Sequence, residues 1–243
     1  MSNFDKNFLP LIMSAFVMLI MCISFDLKAD NEITIKNQEG NSFNLNITQV
    51  GSDNVIDCYQ TASCYNEGNN LSLHFEQSNY SGVENKIQIW HLEGHNNEIR
   101  WGQGLALSSS TDTTFSYDGT EGGGHYARHD IHGHNNSVAG SQTNQGSTSG
   151  HNYTSLIFAD YNAVFVKQRG DGSKTFNLVI YNDNNDVSVS QQGYNAQHNA
   201  NVTLSGTDPT SLNLVQNSST AQTYTLQQSC YTVGGCSVSV TQQ

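Results

Sequence analysis

Proline is nearly missing from this chain. Pro10 and Pro209 are the two in 243 residues. Proline has no N–H to give a strand ladder and is confined to edges and turns, so its scarcity leaves almost the whole length free to be strand and turn. Basic residues are scarce too: nine Lys plus Arg against 21 Asp plus Glu, a net charge of −12. Nucleic-acid binding needs a basic footprint, so nucleic acid is excluded as a partner, while the like charge keeps the chain soluble. Hydrophobic residues make up 36% and aromatics 9%, too little for a conventional layered core of this size. Charge, at 12%, is too low for a charged disordered chain. No sustained helical period occurs after residue 29. A nucleophile elbow, a phosphate loop and a zinc-protease helix are all missing, and nothing marks two carboxylates as an acid and a base. The expectation is a protein that is not an enzyme and takes no cofactor or metal.

What the chain has is one short pattern, written repeatedly. It reads Gly51-x-x-Asn54-x-Ile56-x-Cys58-x-Gln60, then Gly94-x-x-Asn97-x-Ile99-x-Trp101-x-Gln103, then Gly133-x-x-Asn136-x-Val138-x-Gly140-x-Gln142. Ala159-x-x-Asn162-x-Val164-x-Val166-x-Gln168 and Asn182-x-x-Asn185-x-Val187-x-Val189-x-Gln191 change the first residue. Gly82-x-x-Asn85-x-Ile87-x-Ile89-x-His91 changes the last. A sister form puts an apolar residue in place of Asn, in the copies ending at Gln49 and Gln77. Weaker copies end at Gln216, Gln227 and Gln242, and residues 193–202 are degenerate. Repetition of this kind is the mark of a stacked architecture.

The spacing predicts strands. Residues two apart share a face, so Asn54, Ile56, Cys58 and Gln60 point one way and Val55, Asp57 and Tyr59 the other. Gly and Asn ahead of each strand supply the turn, because both tolerate positive φ. One such strand cannot bury its own face. Stacked copies bury it, and Asn-on-Asn and Gln-on-Gln ladders satisfy one another at about 4.8 Å intervals. The expected fold is all-β: a β-solenoid of stacked strand-turn-strand layers of roughly 22 residues. The structural ladder then comprises Gln49, Asn54, Gln60, Gln77, Asn85, Asn97, Gln103, Asn136, Gln142, Asn162, Gln168, Asn185, Gln191, Gln216, Gln227 and Gln242.

Residues 1–29 differ in composition. Lys6 precedes the apolar run Phe8–Ile23, and Leu27-Lys28-Ala29 offers a cleavage site. This reads as a secretory signal peptide. A membrane anchor is the alternative, but a run of about 16 residues falls short of the roughly 20 a span needs. The expected organisation is a signal peptide at 1–29, repeats at 30–103, an irregular insertion or degenerate layer at 104–130, and repeats at 131–243. The middle segment carries a Ser/Thr run and a Gly run and reads as a loop or a poorly formed layer.

Four cysteines follow the signal segment: Cys58, Cys64, Cys230 and Cys236. In an exported chain they read as disulfides, with three connectivities open. Local pairs, 58 with 64 and 230 with 236, would each staple a strand end to a turn. Zinc is the alternative, though five intervening residues is not a common zinc spacing. His125, His129, His132 and His134 cluster beside Gly-rich sequence. A solvated loop is the expectation there, with a metal site as the sharper alternative.

The pattern Gln49-x-Gly51-x-x-Asn54-x-Ile56-x-x-x-Gln60 resembles the curlin repeat, and the likeness extends unevenly over residues 32–242. Curlins are the secreted subunits of bacterial curli, the amyloid fibres of biofilm matrix. The resemblance implies a curlin-like, cross-β solenoid subunit, exported through the periplasm and a curli-type outer-membrane secretion machinery. It implies self-association into extracellular, cell-surface fibres, with a nucleator or major subunit as partner. The residues following Asn here (Ile56, Ile99, Val187) are larger than the family's, and cysteines are not part of its usual pattern. A monomeric β-solenoid that binds or cleaves surface polysaccharide is the rival reading.

Overall fold

The computed structural model describes residues 31–34, 42, 44–58, 70–92, 96, 98–104, 122–135, 137–144, 150–161, 163–181, 183–193 and 195–243. No described residue is helical. Thirteen strands follow one another: β1 (Glu32–Ile33), β2 (Gln49–Gly51), β3 (Asn54–Cys58), β4 (Gln77–Asn79), β5 (Asn85–Leu92), β6 (Tyr126–His132), β7 (Asn152–Thr154), β8 (Ile157–Phe158), β9 (Lys174–Ile180), β10 (His198–Gly206), β11 (Thr210–Gln216), β12 (Gln222–Cys230) and β13 (Cys236–Gln242).

They form a β-solenoid of about seven turns. One wall is a nine-stranded parallel sheet, ordered β1-β3-β5-β6-β7-β9-β10-β12, with β8 beside β6 and β9. The opposite wall consists of the pairs β2–β4 and β11–β13, joined by single parallel bridges that run Asn44, Ser72, Glu98, Ser137, Ala163, Asp186, Ser211. This second wall is bent rather than pleated. Residues such as His74, Arg100, Gln103, Gln142, Lys167 and Gln191 take positive φ there. Such kinks interrupt a ladder and re-aim side chains.

Burial follows the period of two. β9 alternates buried and half-buried along its whole length, and β10 does so until its last residues. The core lies between the walls. One side supplies Ile56, Ile87, Ala127, Tyr153, Phe176 and Ala200, one above the other, and the other side supplies Phe75, Trp101, Val166, Val189 and Leu214. The layers are not equal in volume. The layer of β6 offers Ala127 and Gly140, so the rings of its neighbours close over it. Trp101 and Tyr153 come from layers on either side, yet stack with centroids 4.7 Å apart, and His129 fits edge-on against Trp101 at 4.6 Å. Gly140 is required here. A Cβ at this residue, whose φ is 126°, would lie 2.4 Å from the Trp101 ring.

Residues 104–130, expected as an irregular insertion or a degenerate layer, run into a strand at Tyr126. Tyr126–His132 is a strand of the large sheet, in register with Lys86–Trp90 over Tyr126–Asp130 and shifted by one residue at Leu92. Its inward residues are His125, Ala127 and His129, which do not match the Asn-x-apolar template, so the pattern conceals an ordinary layer. The signal segment, 1–29, lies outside the described residues.

Candidate functional site

Two buried polar ladders run the length of the stack, and each is built from the ends of the strands. The first is made of glutamine. The Nε2 of Gln77 donates to Oε1 of Gln49 at 2.9 Å, and Gln103 donates to Gln77 at 3.2 Å. The series continues with Gln142 to Gln103, Gln168 to Gln142, Gln191 to Gln168 and Gln216 to Gln191, at 2.6, 2.7, 2.6 and 2.7 Å. Every one of these donates toward the N-terminal side. The same Nε2 atoms also reach the opposite wall, donating to the backbone oxygens of Val55, Lys86, Tyr126, Asn152, Thr175 and Asn199. Each glutamine thus ties its layer to the previous one and closes the corner between the walls.

Gln242 is in register with Gln216, at the C-terminal end of the stack. The Oε1 atoms of both are buried and have no partner among the described residues. Gln227 is not in this ladder. It is exposed on the outer face of β12, and Gln228 takes the inward place. Pairing of His198 with Gln222 sets that register. It puts Tyr224 and Leu226 over Ala200 and Val202, where the one-residue shift implied by the sequence pattern would have turned both outward.

The second ladder opens the large sheet. Asn31 accepts the Asn54 N–H at 3.1 Å, and Asn85 donates to Asn54 at 3.4 Å. Asn85 then accepts the His125 N–H at 3.1 Å. From there asparagine gives way to other residues. The Nδ1 of His125 accepts the His151 N–H at 3.0 Å, and the Nδ1 of His151 accepts the Lys174 N–H at 3.3 Å. His198 lies over Lys174, and Gln222 over His198. Lys174 is fully enclosed. Its Nζ donates to the carbonyls of Gly170, Asp171, Gly172 and Ala196, and desolvation brings its pKa down to about 8.

His125, His151, Lys174 and His198 are ladder members that the Asn-based pattern misses. A signal for them exists. Each stands two residues before the first inward apolar or aromatic residue of its strand, as Asn54 and Asn85 do. At the other corner Asn185 accepts the Thr210 N–H at 2.7 Å. Asn97, Asn136, Asn162, Gln60 and Cys64 lie outside the described residues, as does the side chain of Cys58. A third, exposed ladder crosses the turns: Asn70 donates to Asn96 and Asn96 to Asn135, both at 2.8 Å.

Cys230 and Cys236 are joined by a disulfide. It connects the end of β12 to the start of β13 in the last layer. The histidines of the 125–134 segment divide between two environments. His125 and His129 are buried, so this part is not a solvated loop. The other two lie beside carboxylates: Asp130 is held between Arg128 at 3.2 Å and His132 at 3.0 Å, and His134 lies 3.1 Å from Asp160.

The inward side chains of the last layer, among them Tyr224, Leu226, Val238 and Val240, pack on the core but stay partly exposed, whereas their counterparts one layer earlier are buried. Among the described residues nothing covers this end. No family model, curated protein or solved structure matches the chain.

Proposed function

We propose that the chain is a secreted structural subunit that assembles end to end into curli-like amyloid fibres outside the cell, supporting surface adhesion and biofilm matrix. The observation that carries this reading is the open C-terminal layer. It offers parallel strands with unpaired backbone groups and half-covered apolar side chains, Tyr224, Leu226, Val238 and Val240. An edge of this kind is a template for another chain. From Gln77 to Gln216 each glutamine amide donates toward the N-terminal side, and the first in-register glutamine, Gln49, would meet the last, Gln242, in an end-to-end stack. On this reading no residue does chemistry. Export runs through a curli-type outer-membrane machinery, and the partner is a nucleator or major subunit.

The test is to incubate the purified mature chain. Fibres should appear after a lag that preformed seeds remove, with reflections near ~4.7 and ~10 Å. A chain that stays monomeric for days at high concentration would overturn the reading.

One observation favours the rival, a monomeric solenoid that binds polysaccharide. His132, Phe158 and Tyr181 form a row of stacked rings along one outer edge, with centroids 4.4 and 6.1 Å apart, and Phe158 and Tyr181 are 46% and 53% exposed. A groove beside them is lined by His134, Asp160 and Asp183. These rings stack on one another, however, and offer their edges more than their faces to a ligand. Retention on immobilised polysaccharide by the wild type, lost in Phe158→Ala/Tyr181→Ala, would support the rival.

A further inference from the structure

The second ladder changes character half-way up the stack. Its first members, Asn31, Asn54 and Asn85, are neutral at every pH of interest. Its later members, His125, His151, Lys174 and His198, titrate. They follow one another on successive strands, and the rings of His125 and His151 have centroids 5.1 Å apart. All four side chains are enclosed. The hydrogen bonds fix the protonation state. The Nδ1 of His125 and of His151 each accept a backbone N–H from the next layer, so in both rings the proton sits on Nε2. A second proton has to enter at Nδ1, where it removes the acceptor that holds the next strand.

Among the described residues, the groups that face this column bring it no compensating negative charge. The amides of Asn85 and Gln222 lie before and after it, and the glutamine ladder across the corner is neutral. Of the charged groups facing the column, Lys174 is a cation. Among the described residues, the carboxylate that acts on the Lys174 ammonium is that of Asp171. Lys174 itself opposes protonation of both His151 and His198. A fourth histidine, His129, sits deeper, against Trp101 and the phenol of Tyr153. Neither of its ring nitrogens has a partner among the described residues. On the same strand the buried carboxylate of Asp130 is taken up by its own neighbours Arg128 and His132.

We propose that these four histidines form an acid-sensitive lock on the fold: the stacked layers require them neutral, and acidification releases the stack. Burial is the main cause of the effect. It lowers His125 and His129 from 6.5 to about 3, carries His151 well below its ordinary value, and lowers His198 as well. A base whose pKa is depressed on folding binds its proton more readily in the unfolded chain. Between pH 6.5 and about 3 the unfolded state therefore holds more protons, and stability falls as pH drops. Above 6.5 the stabilisation is complete. His125 and His129 each change the folding equilibrium by up to about tenfold per pH unit in that window, and His151 and His198, lowered too, act in the same direction. His198, itself almost fully buried, borders a groove lined by Ser173, Thr175, Asn199 and Thr223. The lock belongs to the fold of a single chain and does not depend on the fibre reading.

Asparagine already holds the same place in neighbouring layers, so His125→Asn/His151→Asn/His198→Asn keeps an acceptor while removing three titrations. Denaturant unfolding of the mature chain, followed by circular dichroism from pH 7.5 to 4.5, compares it with the wild type. The wild-type unfolding constant should rise by roughly 300-fold or more between pH 6.5 and 5, and that of the variant, which keeps His129, by about 10- to 30-fold. A parallel loss in the two proteins would overturn the proposal, because the carboxylates would then be responsible. Should the variant not fold, the wild type decides by NMR. Its buried histidine Cε1–H signals should stay at neutral shifts down to pH 5 in the folded chain and titrate near 6.5 in urea, whereas folded-state titration near 6.5 would sink the lock.

Discussion

At the scale of single residues, the fold rests on amides that satisfy each other inside the stack. Gln142 shows how much one of them does. It donates to Gln103 and to the Tyr126 carbonyl, and it accepts from Gln168. Truncating it orphans groups in two other layers, each costing about 1–3 kcal/mol when buried. Gln142→Ala should therefore lower unfolding free energy by at least that much, while Ser188→Ala on the outer face should stay within about 0.5 kcal/mol. Urea titration of both variants measures the difference, and equal effects would reject the assignment of faces. Gly140 makes a steric prediction. Any side chain there meets Trp101 and is strained at φ 126°. Gly140→Ala should cost roughly 1–3 kcal/mol by overpacking and shift the Trp101 emission, whereas Gly82→Ala, with no atom near its Cβ, should leave that emission unchanged.

At the scale of elements, the last layer is the one most in need of restraint. β13 pairs with β11 on one side, and its inward residues are half-buried. The Cys230–Cys236 bond closes a short loop between β12 and β13. Short loops gain less from closure, so about 2 kcal/mol is expected from this bond. Replacing both cysteines with Ala should cost about that amount. The loss should be concentrated in β13, where amide hydrogen exchange should accelerate before it does in β9 or β10. Uniform acceleration throughout the chain would show that the bond acts on the whole stack. Mass mapping of an unreduced digest checks the pairing itself.

At the scale of the whole molecule, a net charge of −12 opposes the approach of two copies. Salt screens such repulsion, with a Debye length of about 10 Å at 0.1 M and about 3 Å at 1 M. If chains join end to end, the lag before fibres appear should shorten as sodium chloride rises from 10 to 200 mM in a light-scattering or dye-binding assay. A lag that lengthens with salt would mean that the junction is held by ion pairs, not by ladders and apolar contact. Stability to acid belongs at this scale too, because the histidines act through the register of several layers at once.

Much of the architecture was legible in the residues themselves. A period of two with turn residues at fixed offsets can be satisfied by stacked strands and by little else, so the all-β solenoid and the glutamines that close the second wall, from Gln49 to Gln216, follow from spacing alone. Spacing could not assign register where two offsets compete. In the strand from Gln222 to Cys230 the template selects Gln227, but the tertiary fold selects Gln228, because only that pairing buries Tyr224 and Leu226. Nor could it reveal the layer at Tyr126–His132, where small residues and a histidine replace the template and the missing volume is supplied by Trp101 and Tyr153 from neighbouring turns. The same holds for the ladder of His125, His151, Lys174 and His198. In sequence they are unrelated polar residues 23 to 26 apart, and their common place arises when successive turns set each one over the last, out of water, with His125 and His151 each receiving a backbone N–H.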